Sequence, residues 1–249
     1  MPNTPPTLVF LHYFGGAARS WQWVIEQLAD DYRCVALNLP GFGGADPLDS
    51  VSIEEMAHYV IQETERLGLS EFILLGHSMG GKIALQVAVN DAKALPPDGS
   101  PPNQRVQQLV LIAPSPPTVE RMPDEEKERM LHHPDRGEAE TTVKSNTRRP
   151  LSAERQALAV ETQLETDEAT WRWWLLRGVN HSIADQVNRI SVPITVLVSD
   201  DDPVIDQAAI QQEVMGVLPT AKLVRTQGIG HLLPLEAPDW VAEQIKDIC

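Results

Sequence analysis

The sequence predicts an α/β fold: a mostly parallel twisted sheet with helices on both faces and an inserted helical cap. Three observations lead there. Short apolar strands alternate with amphipathic helices up to about residue 117, the pattern of βαβ units. At one junction the apolar run Phe72-Ile73-Leu74-Leu75 passes through Gly76-His77-Ser78-Met79-Gly80 into Gly81-Lys82-Ile83-Ala84-Leu85, which reads as strand, sharp turn and helix. From Thr118 to about Arg189 charged helical segments replace the strands, and a strand returns near Val192. The expected division is a core of 1–117 with 190–249 and a cap of 118–189.

The elements follow in order. Leu8–Leu11 is an early strand, and the turn His12-Tyr13-Phe14-Gly15-Gly16 follows it. Val35–Leu39 is another strand, running into Pro40-Gly41-Phe42-Gly43. Ser52-Ile53-Glu54-Glu55 is a capping-box start, after which Ile53, Met56, Ala57, Val60, Ile61 and Leu67 keep helical spacing. Ala94–Pro102 is a proline-rich surface loop with no function attached, and Val106–Ala113 is the next strand. Helices are expected at Pro123–Leu131 and Ser152–Leu164, a strand at Val192–Val198 and a final amphipathic helix near the C-terminus. No internal repeat is present.

Composition narrows the function. A chain of 249 residues with 42% hydrophobic residues can bury one sizeable core. Its 35 acidic residues against 20 basic ones leave a formal charge of -15, which disfavours nucleic acid and anionic membranes as partners. No segment approaches the length of a bilayer span, and Met1–Pro6 lacks a basic or long apolar stretch. Two cysteines, Cys34 and Cys249, make no disulfide framework, so the expected location is cytoplasmic.

A serine lifted onto a sharp turn needs neighbours without bulk, which Gly76, Gly80 and Gly81 provide. Its hydroxyl becomes a nucleophile only if a base takes the proton, an acid orients the base and N–H groups receive the developing negative charge. The base candidate is His231, in the glycine-flexed loop Gly228-Ile229-Gly230-His231. The acid candidates follow a strongly apolar strand in the run Ser199-Asp200-Asp201-Asp202-Pro203. Asp202 is chosen because a residue before proline is held extended, which fixes the direction of its side chain. Asp200 and Asp201 are the alternatives, and a solvated turn is their simpler role. After the preceding strand no carboxylate occurs before Glu120, so no competing acid is visible there. The His12–Gly16 turn leaves backbone N–H groups unpaired, and the Met79 N–H at the start of the elbow helix complements them. His12 itself is expected to brace the loop rather than to act as a second base.

The order of strand, H-x-x-G-G loop, G-x-S-x-G elbow, aspartate and histidine resembles the α/β-hydrolase superfamily, over essentially the whole chain. Val35–Gly43 looks like that family's fourth strand and its P-G-x-G turn, and Gly230 to Pro238 is similar to its histidine loop. The resemblance implies Ser78 as nucleophile, Asp202 as acid, His231 as base, and the N–H groups of Phe14 and Met79 as oxyanion hole. Two positions depart from the family pattern. Tyr13 replaces the usual glycine, placing a phenol near the substrate, and Asn38 replaces the usual aspartate, an effect expected to stay within a turn.

In the expected cap, Trp171, Trp174 and Leu175 share one helical face. They either attach the cap or line an acyl or aromatic pocket, or do both. His132, His133 and His181 have no carboxylate or cysteine at ligand spacing, so they read as solvated loop residues and no metal is expected. The function implied is a cofactor-free, carboxylesterase-like serine hydrolase, cleaving a small or medium ester through an acyl-enzyme, with a small molecule as its partner. The same residues would also suit a perhydrolase, a carbon–carbon bond hydrolase or a lyase of the menaquinone-pathway type. A ligand-binding homologue with a vestigial triad is the alternative from another class.

Overall fold

Strands β1 (Thr7–Leu11), β2 (Arg33–Leu37), β3 (Phe72–His77), β4 (Val106–Ile112), β5 (Ile194–Ser199) and β6 (Lys222–Thr226) form one sheet in a computed structural model that describes residues 5–93 and 104–249. Their order is β2-β1-β3-β4-β5-β6 and every pair is parallel. The proline-rich stretch Ala94–Pro102 lies outside the described residues. A sheet covered on both faces needs apolar side chains on both, and β3 and β5 are accordingly buried along their whole length. The outer strands β2 and β6 are only half-buried. Val35–Leu37, likened above to a fourth strand, therefore belongs to the second strand of this chain, at the sheet's edge.

Alternation along each strand divides its side chains between two cores. Leu8 and Phe10 of β1 join Trp21, Val24 and Ile245, beneath α1 (Gln22–Leu28) and the C-terminal helix Pro238–Ile248. Val9 and Leu11 face the opposite way, onto Met56 and Val60 of α2 (Ile53–Arg66) and Ile83 of α3 (Met79–Lys93). At the start of α2 the Ser52 hydroxyl accepts the Glu55 N–H, 3.1 Å away. The chain winds outward from β1 to β2, then crosses to β3 on the other side of β1. Order reverses between β1 and β3, so the loops leaving their carboxyl ends diverge and open a crevice there. Those loops are His12–Gly16 and the turn at Ser78.

Between β4 and β5 lie α4 (Asp124–Met130), α5 (Arg136–Asn146), α6 (Ala153–Leu164) and α7 (Glu168–Trp173), the last continuing through a π-helical turn, Trp174–Gly178. Side chains of Asp135, Ser152 and Asp167 each accept an N–H from the first turn of the helix they precede. One buried cation closes the loop of chain at both ends. Lys82, one turn into α3, donates to the carbonyls of Thr118 and His181, each 3.0 Å away. Among the described residues no helix is long and apolar enough to cross a membrane.

Candidate active site

β3 stops at His77 because Ser78 takes φ +54°, a left-handed conformation that a non-glycine residue adopts only when its surroundings enforce it. The enforcement is close packing. A Cβ on Gly76 would collide with the Gly80 carbonyl, and one on Gly80 would sit 2.6 Å from the carbonyl oxygens of Leu11 and His12. The turn is therefore pressed against β1, and the Ser78 hydroxyl projects into the crevice.

Ser78 Oγ lies 2.9 Å from His231 Nε2, and His231 Nδ1 lies 2.8 Å from Asp202 Oδ2. All three residues are buried. A carboxylate only accepts, so Nδ1–H donates to Asp202 and Nε2 is left to receive the serine proton. The other oxygen of Asp202 accepts the N–H groups of Val204 (2.7 Å) and Ile205 (3.1 Å), which fixes the carboxylate on its turn. Its two neighbours are engaged elsewhere. Asp200 pairs with Arg225 at 2.6 Å, and Asp201 accepts the Gly228 N–H at 2.6 Å. Rather than lying free in a solvated turn, they hold the end of β6 and the loop that carries His231.

Burial opposes charging the His231 ring. The Asp202 carboxylate, as a charge and as an acceptor, with Glu120 and Glu236 beyond it, outweighs that effect and holds the ring above its ordinary value of 6.5. Three further contacts position the loop. His231 N–H donates to the Asn146 carbonyl at 2.7 Å, and its own carbonyl accepts from His77 Nε2 at 2.8 Å. Glu236 Oε2 accepts the N–H groups of Gly230, Arg148 and Arg149. The histidine loop is thus tied to the segment joining α5 and α6. Neither His77 nor Glu236 was singled out by sequence reasoning; the one signal was a histidine closing an otherwise apolar strand. Burial foremost, then the neighbouring His231, keeps the His77 ring well below the ordinary value, so it serves as a neutral donor.

His12 is a brace. Burial pushes it down to about 4. Its Nδ1–H donates to the Tyr13 carbonyl at 2.8 Å and its Nε2 accepts the Leu39 N–H at 3.1 Å. The same carbonyl accepts the Gly16 N–H at 2.9 Å. Because C=O and N–H point opposite ways in a trans peptide, fixing the Tyr13 carbonyl also fixes the direction of the Phe14 N–H. Neither that N–H nor the Met79 N–H has an acceptor among the described residues.

Tyr13 lines the cavity beside Ser78, where the sequence places a phenol; its hydroxyl lies beside Thr162 and Ser20, and burial pushes it up to about 12. Asn38 does more than shape a turn. Its Oδ1 accepts the Ala18 N–H at 2.7 Å and its Nδ2 donates to the Gly43 carbonyl at 2.9 Å, a pairing that aspartate could not make.

A cavity of about 170 Å³ opens over Ser78 and His231, walled on the far side by Met122, Met130, Asn146 and Trp174. Of the three residues assigned to one pocket-facing helical surface, Trp174 alone reaches it. Phe14, itself a cavity wall, stands 4.2 Å from Trp171, centroid to centroid, and Trp171 donates its indole N–H to the Met130 carbonyl at 2.7 Å. Leu175 is buried with Met130 and Trp171. His133, expected in a solvated loop, stacks on Trp171 at 4.2 Å and donates to the Thr166 carbonyl, and His181 Nε2 lies 3.1 Å from Glu54. Glu120, noted in the sequence only as too distant to compete, is buried in the cavity wall.

Sheet order, turn and hydrogen-bonded side chains together define an α/β hydrolase. The chain belongs to the alpha/beta hydrolase family, whose model matches residues 8–244. Over 109 residues it is 38% identical to the dihydrolipoyllysine-residue acetyltransferase component of the acetoin cleaving system of Cupriavidus necator, covering 43% of this chain and 26% of that protein. Over 110 residues it is 36% identical to the pimeloyl-[acyl-carrier protein] methyl ester esterase of Pectobacterium carotovorum, covering 44% and 37%. These matches span about a quarter and just over a third of the relatives' lengths. An esterase of Exiguobacterium antarcticum shares the fold at TM-score 0.83 and 17% identity, over 98% of this chain and 92% of that one.

Proposed function

We propose that the protein is a serine hydrolase that cleaves a small or medium ester through an acyl-enzyme, with Ser78, His231 and Asp202 as its catalytic residues. The observation that carries this reading is the continuous hydrogen-bonded chain from Ser78 Oγ through His231 to Asp202, at 2.9 and 2.8 Å. Ser78 Oγ attacks the ester carbonyl while its proton passes to His231 Nε2. The oxyanion is received by the Phe14 and Met79 N–H groups, whose freedom from other acceptors suits them to it. His231 then protonates the departing alkoxide, and water, deprotonated by the same nitrogen, releases the acid. The esterase relative and the esterase of similar fold support ester chemistry.

Residues 118–189 act as a cap in this reading, since Met122, Met130, Asn146 and Trp174 close the cavity from above. The test is labelling by an active-site phosphonate together with turnover of an ester panel. Wild-type protein is expected to be labelled at Ser78 and to hydrolyse esters, and Ser78→Ala to do neither. Labelling at another residue, or none with the wild type, would overturn the assignment.

A further inference from the structure

Glu120 is the one carboxylate in the cavity wall that the hydrolytic steps leave unused and that is itself buried, at 6% exposure. Neither of its oxygens accepts a hydrogen bond from a described residue; Oε2 is sealed from solvent, which leaves Oε1 as the oxygen that a group in the cavity can reach. A buried carboxylate in that condition is costly unless something donates to it. Lys82 does not: its Nζ is spent on the carbonyls of Thr118 and His181, and it reaches Glu120 only as a charge. The backbone of Glu120 is nevertheless held in place. Its own N–H donates to the Val179 carbonyl at 2.8 Å, and Lys82 pins the chain two residues earlier.

The surroundings indicate what fits. Glu120, Arg121 and Val204 are walls shared between the cavity over Ser78 and a second cavity of about 120 Å³. Glu126 lines the first; Asp206 and Glu213 line the second. Arg121 is the one lysine or arginine of the described residues in either lining; it is 89% exposed and lies 3.9 Å from Glu213. Carboxylates therefore outnumber lysine and arginine side chains four to one in these linings, Glu120, Glu126, Asp206 and Glu213 against Arg121. An anionic substituent meets a surplus of like charge there, whereas a hydroxyl, amide or ammonium group meets an acceptor.

We propose that Glu120 determines specificity by accepting a hydrogen bond from an O–H or N–H group that the substrate carries beyond its reacting carbonyl. This rests on the hydrolase reading above and names the substrate class for the same site. A site built to bond such a group rejects the isostere lacking it, because its own polar atom is then left unpaired.

The experiment uses matched esters in two series, one varied on the acyl chain and one on the alcohol, each ending in methyl, hydroxyl, ammonium or carboxylate. In at least one series the hydroxyl or ammonium ester is expected to exceed the methyl ester in kcat/KM by about 10- to 100-fold, with the carboxylate ester the poorest. Glu120→Leu should bring that ratio within about threefold of unity and leave Tm equal or higher, since an unpaired buried carboxylate is removed. Glu120→Gln keeps an acceptor but no charge, so it separates the sources: a hydroxyl preference survives it and an ammonium preference falls. If every ester is turned over with no preference that depends on Glu120, or if both variants lose all esters equally and lower Tm, the inference is overturned while the hydrolase reading stands. Absence of turnover and of Ser78 labelling would overturn that reading, and this inference with it.

Discussion

The sheet and the helices between β4 and β5 are held by different means. In the sheet, whole strands such as β3 and β5 are buried, and their positions follow from continuous apolar surface. The α4–α7 segment buries only patches, and individual contacts attach it: Trp171 with Phe14, Lys82 at both ends, and Glu236 against the backbone of Arg148 and Arg149. The sheet side carries the proposed reacting groups, while the helical side supplies most of the far cavity wall and a tether on the His231 loop. Chemistry and selectivity are thereby assigned to regions with different sensitivity to single substitutions.

The sharpest test of this contrast is Ser78→Ala, which should lower ester turnover more than about a thousandfold with little change in Tm, because it removes one cavity-facing hydroxyl and leaves the glycine packing of the turn intact. Asp202→Asn should cost about a thousandfold, whereas Asp200→Asn or Asp201→Asn should cost under about tenfold, since those two hold the loop from outside the chain of reacting groups. A large loss at Asp200 or Asp201 would move the acid role.

Cutting a tether should give intermediate effects. Glu236→Ala leaves three backbone N–H groups without their acceptor, so a loss of about 2 kcal/mol or more in stability and roughly tenfold to a hundredfold in kcat is expected, read by denaturant melts and steady-state kinetics. Unchanged kcat would show that the helical segment does not position His231. The two tryptophans then separate attachment from selectivity. Trp171→Ala should lower stability by about 3–5 kcal/mol and affect short and long esters alike. Trp174→Ala should lower kcat/KM for long-chain or aromatic esters by about several-fold to a hundredfold relative to acetate esters, although it too costs stability. Equal losses on all esters for both variants would erase the distinction.

The smallest expected effect is in the pH profile. Because the folded His231 value is raised, its basic form and with it kcat/KM should fall away below a midpoint above 6.5. The stability contribution runs the other way: it is full below the unfolded value and lost as pH rises through the folded one. Activity should therefore rise over the interval in which this contribution to Tm declines. A midpoint at or below 6.5 would contradict the dominance of Asp202 over burial.

Much of this is legible in the amino-acid sequence. The elbow could be read because every requirement lies within a few residues of Ser78: an apolar strand, glycines without Cβ, and an amphipathic helix. Asp202 was separable from its neighbours by the proline after it, again a local constraint. The helices at 124–130 and 153–164 showed through their spacing and caps. The face containing Trp171, Trp174 and Leu175 was misread in part because helical spacing says which residues align and not what stands in front of them. Phe14, more than 150 positions earlier, occupies the place before Trp171.

By itself, then, the sequence determined the class of fold, the strained turn and the residues able to form a proton-transfer chain, because local sterics and periodicity act between neighbours along the backbone. Only the tertiary structure decided that His77 supports the His231 carbonyl, that Glu236 joins the histidine loop to the helical segment, and that Glu120 faces the cavity unpaired. Those roles arise where segments far apart in the chain converge and water is excluded. There a polar atom's partner is set by geometry across the sheet and its covering helices, and no spacing within the chain encodes it.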